Sequence, residues 1–110
     1  MHISAQMMAG NAGDLVLIGK DVGITAQDSV YLIESEENRY AILPKLQESS
    51  ENAPGEWNEY DITVEGDIIE FTVNGTIQNR GIDATKIKGS IAIQSEGGPM
   101  QFRNITLLEL

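Results

Sequence analysis

Residues 60–81 constrain the fold of this chain more than any other stretch. Tyr60, Ile62 and Val64 alternate with Asp61, Thr63 and Glu65, and Ile69, Phe71 and Val73 alternate with Glu70 and Thr72. A period of two places one apolar and one polar face on each segment, which is a strand pattern and not a helical one. Glu65-Gly66 separates the two segments, and Asn74-Gly75 follows the second. Asn-Gly is a strong signal for a type I′ hairpin turn, because both central residues take positive φ. A short return strand, TIQN (76–79), is expected after it.

The rest of the chain reads the same way. HISAQMM (2–8) is a short, half-apolar strand candidate, and AGNAGD breaks it from LVLIG (15–19). Four consecutive apolar residues in LVLIG predict a strand buried on both faces. KDVGITAQD (20–28) reads as a loop, SVYLIE (29–34) as a strand and ESEENR (34–39) as a charged turn. YAILPKL (40–46) contains Pro44, which restricts it to an edge strand or a strand end. LQESSENAPGEW (46–57) gathers Ser, Asn, Pro and Gly, so it reads as loop. IKGSIAIQSE (87–96) and MQFRNITLLEL (100–110) are expected as two further strands joined at Gly97-Gly98-Pro99. About eight short strands and no amphipathic helix make the chain all-β, with sequential strands pairing antiparallel through short turns.

Length and charge bound the function. A chain of 110 residues is a single domain, 1–110, with room for a modest core. Seventeen Asp and Glu against seven Lys and Arg give a net charge of −10. Phosphate neutralisation needs clustered basic residues, so nucleic acid is not expected as a partner. No run reaches the length of a membrane helix, so no membrane partner is expected either. The absence of cysteine removes disulfides and thiolate metal sites. No His pair at ligand spacing and no calcium-hand loop is present, so no metal or cofactor is implied; a calcium ion held by carbonyls and scattered carboxylates is left open. No basic, then apolar, then small-residue leader precedes the first strand candidate.

Three blocks carry a family resemblance: GNAGDL (10–15), PGEWNEYDITVEGDIIEFTVNG (54–75) and GSIAIQSEGGPMQFRNITL (89–107). In their wording and order they resemble the bacterial 3-keto-disaccharide hydrolase domain family. The resemblance implies a concanavalin-like jelly roll, a sandwich of curved antiparallel sheets with sugar on the concave face. Here it would be a partial or minimal version, shortened at the N-terminus and matching the middle and C-terminal part of the family domain. It implies a carbohydrate ligand whose glucose ring is oxidised to a ketone at carbon 3. The ketone acidifies the neighbouring C–H, so a base removes the proton, the glycosidic oxygen leaves, and water adds back. That chemistry needs a base, a donor to the enolate oxygen and an acid for the leaving group. Periplasmic or secreted localisation also follows from the resemblance. Where family segments read I-E-A-Q-L-M, this chain has Ser4 in place of the glutamate and keeps Gln6.

Glu96 and Asp14 are the carboxylates offered as general acid or base. Gln6, Asn11, Gln94, Trp57 and Arg103 are offered as sugar-binding residues. Asn11 and Asp14 also suit turn chemistry among their glycines. Gln94 and Glu96 would share the strand face opposite Ile91 and Ile93. Trp57 serves either as a sugar platform or as an anchor of its loop into the core, and the GEWN context favours the anchor. His2 and Ser4 share a strand face, with no carboxylate evident to orient them. A non-catalytic carbohydrate-binding module is the other functional reading. A third is a homodimer in which two short chains complete each other's sheets.

Overall fold

The computed structural model describes residues 2–35, 40–86, 92–94 and 98–109. Among them are eight strands and no helix: β1 (His2–Ala5), β2 (Leu15–Ile18), β3 (Gly23–Ala26), β4 (Ser29–Leu32), β5 (Tyr40–Leu43), β6 (Tyr60–Glu65), β7 (Ile68–Val73) and β8 (Thr76–Gly81). They form three antiparallel sheets, ordered β1-β2-β5, β3-β4 and β6-β7-β8. An isolated bridge between Thr25 and Ile82 joins the edge of β3 to the chain leaving β8. Its two main-chain bonds, 2.8 and 2.9 Å, make the second and third sheets nearly continuous. The expected all-β, antiparallel class is what the chain adopts, and the arrangement is consistent with a small β-sandwich.

The core lies where the sheets face one another. Leu15 and Leu17 from β2, Ile24 and Ala26 from β3, Leu43 from β5, and Ile69, Phe71 and Val73 from β7 form one buried cluster. The β2 pattern holds as read: Leu15 and Leu17 are buried on the core side, and Val16, on the opposite face, is 8% exposed. β5 ends at Leu43, immediately before Pro44, and lies at a sheet edge.

The hairpin block also forms. Asn74 and Gly75 have φ of 50° and 82°, the positive pair that a type I′ turn requires. The first turn is one residue later than the sequence suggests, with Glu65 paired to Ile68 across Gly66-Asp67. β8 extends to Gly81 and carries a bulge. Phe71 pairs with Asn79 and Thr72 with Ile77, so Gln78 has no opposite number. The extra residue breaks the alternation, and consecutive side chains Gln78 and Asn79 are both fully buried.

Three expectations are corrected. KDVGITAQD is not a loop throughout, because Gly23–Ala26 forms β3 and turns into β4 through Gln27 and Asp28, at φ 53° and 63°. Residues 100–109, expected as a strand, have no regular structure and are exposed. Of the expected strand at 87–96, residues 92–94 are not extended into a ladder, and 87–91 and 95–96 lie outside the described residues. Of the charged turn expected at 34–39, residues 36–39 lie outside them as well. The apolar face of β6 is open, with Ile62 and Val64 44% and 59% exposed.

Candidate functional site on the outer face of β1-β2-β5

Register assigns the side chains of the first sheet to two faces. Ile3, Ala5, Leu15, Leu17, Ala41 and Leu43 share the core face, while Ser4, Val16 and Ile42 stand side by side on the other. His2, Ile18 and Tyr40 make the next row of that outer face. An open depression of about 440 Å³ lies there, lined by Gln6, Asn11, Asp14, Val16, Tyr40 and Ile42. Three of the seven residues singled out from the sequence therefore converge on one surface. Its composition, two amides and a carboxylate beside an apolar floor and a tyrosine, combines hydrogen-bonding groups with area for a ring to lie on.

The turn between β1 and β2 is what gathers the polar groups. Gln6 donates its main-chain N–H to the carbonyl of Asp14 (2.9 Å) and accepts from the N–H of Gly13 (3.2 Å), so the ladder continues past β1. Within the turn, Asn11 N–H donates to Met8 O (2.9 Å) and Asp14 N–H to Asn11 O (3.1 Å). Oδ1 of Asp14 accepts the main-chain N–H of Lys45 at 2.8 Å, which fixes the carboxylate against β5's exit. The turn-chemistry role of Asn11 and Asp14 and their place at the depression thus coexist.

Neighbouring elements clamp this turn from three sides. Glu51 holds its carboxylate on the N–H groups of Gly10 and Ala12, at 3.1 Å each. Lys45 Nζ donates to Gly10 O at 3.2 Å. Asn79 Nδ2, fully buried, donates to Gly13 O (3.2 Å) and Leu43 O (3.0 Å). Gly13 sits at φ 112°, and a Cβ there would lie 2.6 Å from Cβ of Gln78, so glycine is required for this approach. Gln78 in turn fixes the 46–57 loop, donating to Glu48 O (2.8 Å) and Ser50 Oγ (3.0 Å) and accepting from Gln47 N–H (3.2 Å).

The other named residues lie apart from the depression's lining. Trp57 does not anchor its loop in the core; it is 44% exposed, with the Arg103 guanidinium 4.0 Å above its ring centroid. That stack is a cation–π contact and brings two of the candidates together at a second place. Gln94 is exposed and outside any strand, so the shared strand face with Glu96 is not formed at Gln94, and Glu96 lies outside the described residues. Among the described residues no three His, Asp or Glu side chains gather as a metal site.

Tyr60 is the one described group whose ionisation is displaced: burial, and then the Glu51 carboxylate, push its phenol above the ordinary value. Its hydroxyl lies 3.4 Å from Met7 O, at the start of the same turn. The sequence reading missed Val16, Tyr40 and Ile42 as lining residues, although period two on strands in this register would place them there. It also missed Glu51, Gln78 and Asn79, whose partners lie 28 to 66 residues away.

The profile of the 3-keto-alpha-glucoside-1,2-lyase-like domain family matches residues 4–108. The chain belongs to that family. No curated protein matches it, and no solved structure does. The match confirms the resemblance read from the three blocks and gives the lyase-like domain a carbohydrate-related function. It begins at Ser4 and runs through the turn and strands that build the depression.

Proposed function

We propose that the outer face of β1-β2-β5 binds a glucoside oxidised at carbon 3 and that Asp14 removes the proton next to its ketone. The observation that carries this reading is the convergence of Gln6, Asn11 and Asp14 on one depression beside Tyr40. Asp14 is the only carboxylate lining it among the described residues, and the N–H of Lys45 orients it through one oxygen. The Gln6 and Asn11 amides are donors suited to the sugar hydroxyls and to an enolate oxygen. The glycosidic oxygen then leaves as an alcohol, taking up the proton carried by the Asp14 carboxyl and so restoring its carboxylate, and water adds across the C=C of the enone that remains. Export to the periplasm or beyond would suit such a substrate.

A second reading is binding without turnover. Ser4 favours it, since this residue stands in register with Val16 on the same face, where family segments carry a glutamate. A serine hydroxyl does not accept a proton as a carboxylate does unless a base adjoins it.

One experiment separates the two. The chain is titrated with a methyl 3-keto-glucoside by calorimetry, and methanol release is followed in parallel for the wild type and Asp14→Asn. Release by the wild type that Asp14→Asn abolishes, with affinity kept, supports the first reading. Affinity without release supports the second. Neither affinity nor release removes both.

A further inference from the structure

Glu51 has no part in the chemistry just described, yet it holds the turn on which that chemistry depends. Its carboxylate sits on a small cradle of main-chain N–H groups: Gly10 donates to both oxygens and Ala12 to Oε1, all at 3.1 Å. These two donors flank Asn11. An acceptor carrying full charge makes such bonds stronger than a neutral group would. On the solvent side of the cradle Gly10 and Asn11 are exposed. Glu51, in contrast, comes from a loop fixed at several points. Ser50 Oγ donates to Val73 O (2.8 Å), Asn74 Nδ2 donates to Ser50 O (2.7 Å), and buried Gln78 donates to Glu48 O (2.8 Å). Position is thereby carried from the β7–β8 hairpin, through Ser50 and Glu51, to Asn11.

We propose that Glu51 is the positioning residue of this site, its carboxylate fixing through Gly10 and Ala12 the turn that presents Asn11 and Asp14. The inference rests on the reading of the depression as a sugar site. The Asp14 side chain has a tether of its own, the N–H of Lys45, whereas the Asn11 side chain makes only the weak contact of its Nδ2 with Met8 Sδ at 3.9 Å. The effect of losing Glu51 therefore falls first on Asn11 and on affinity, and less on the orientation of Asp14. A carboxylate-sized space lined by two N–H donors remains in Glu51→Ala, and a small carboxylate fits it.

The test compares the wild type, Glu51→Gln and Glu51→Ala in affinity for the methyl 3-keto-glucoside, thermal unfolding, and the amide resonances of Gly10, Ala12 and the Asn11 side chain. Affinity is expected to fall about tenfold or more in Glu51→Ala. Sodium formate, but not sodium chloride at equal ionic strength, is expected to restore both the affinity and the three resonances. Wild-type affinity in Glu51→Ala overturns the proposal. So does formate that raises the melting temperature without restoring affinity, since a merely structural role predicts that result. If Glu51→Ala does not fold, Glu51→Gln supplies the same readings: weaker affinity with displaced resonances supports the proposal, and an unaltered pair overturns it. If the wild type itself binds no glucoside, the sugar reading has failed, and the resonances still decide about Glu51. Displacement of the Asn11 side-chain signal that formate reverses supports positioning; no displacement removes it.

Discussion

The side-chain oxygen of Asn58 accepts a 2.8 Å hydrogen bond from the side-chain amide of Asn74, tying the segment after Trp57 to the β7–β8 turn. Asn74 also donates to Ser50 O (2.7 Å) and accepts the N–H of Glu59 (2.8 Å). Asn58 accepts the N–H of Asn52 (2.7 Å) as well. One turn residue thus serves two purposes. It takes the positive φ of 50° that the hairpin needs, and it closes the 50–59 loop. The two can be separated. Asn74→Gly keeps the backbone and loses the bonds, at a cost of about 1–3 kcal/mol. Asn74→Ala loses the bonds and adds left-handed strain of about 1–2 kcal/mol. Urea unfolding should rank wild type above Asn74→Gly and Asn74→Gly above Asn74→Ala; equal stability of the two variants would mean that the turn is not strained.

Gly81 sets a second limit. It is buried at the junction of β8 with β3, and an added Cβ would overlap Cδ1 of Ile24. Gly81→Ala should destabilise by about 1–3 kcal/mol through overpacking. Ile24→Val alone should cost about 0.5–1.5 kcal/mol. Combined, they should cost less than their sum, because removing Cδ1 relieves the nearer overlap, although Cγ1, 2.5 Å from the added Cβ, remains. Strict additivity in denaturant titrations would show that the clash is absorbed elsewhere.

The sequence revealed the parts of the fold whose information is local. Alternation over 60–73 and the Asn74-Gly75 turn need only neighbouring residues to be read, and both formed. β3 was hidden because it begins with a glycine and turns through Gln27 and Asp28 without one, and its second edge depends on Ile82, 57 residues on (82 less 25). Gln78 and Asn79 were hidden by the bulge, since a period of two predicts that one of the pair faces water. At the site, Asn11 and Asp14 were legible as turn residues beside glycines, and Gln6 through its match to the I-E-A-Q-L-M segment. Tyr40 and Ile42 join them only through a strand pairing that skips β3 and β4. Glu51 carries no local signal that separates it from any other loop carboxylate, because its N–H partners are 39 and 41 residues away.

The Tyr60 phenol supplies a pH prediction. Its folded pKa lies above the unfolded value, which is about 10, so the native state holds this proton more tightly. Stability linked to it is therefore fully present below pH ~10 and is lost as pH rises through the folded value. Burial is the larger cause and the Glu51 charge the smaller, so Glu51→Gln should shorten this alkaline window and Tyr60→Phe should remove it. Urea midpoints of the three proteins measured between pH ~8 and ~11 decide the matter. If wild type and Tyr60→Phe lose stability in parallel over that range, Tyr60 does not contribute.

The uncovered apolar surface carries the last prediction, which concerns a second copy of the chain. Among the described residues β6 has a ladder partner on one side only, and its Ile62 and Val64 are largely exposed. Residues 100–109 lie outside every sheet, with Ile105, Leu107 and Leu108 at 66%, 76% and 77% exposure. This segment falls within the family match, which runs to residue 108, so it belongs to the domain rather than to an appendage. An open strand edge and an unpaired apolar segment in one molecule suit mutual completion between two copies. Light scattering should give a dimer at high concentration. The net charge of −10 opposes that approach, so added salt should strengthen the association. Leu107→Glu should shift it to monomer while sparing the buried cluster around Phe71, which residue 107 does not join. A wild type that stays monomeric at all salt concentrations, with cooperative unfolding, would mean that the segment covers its own chain in solution.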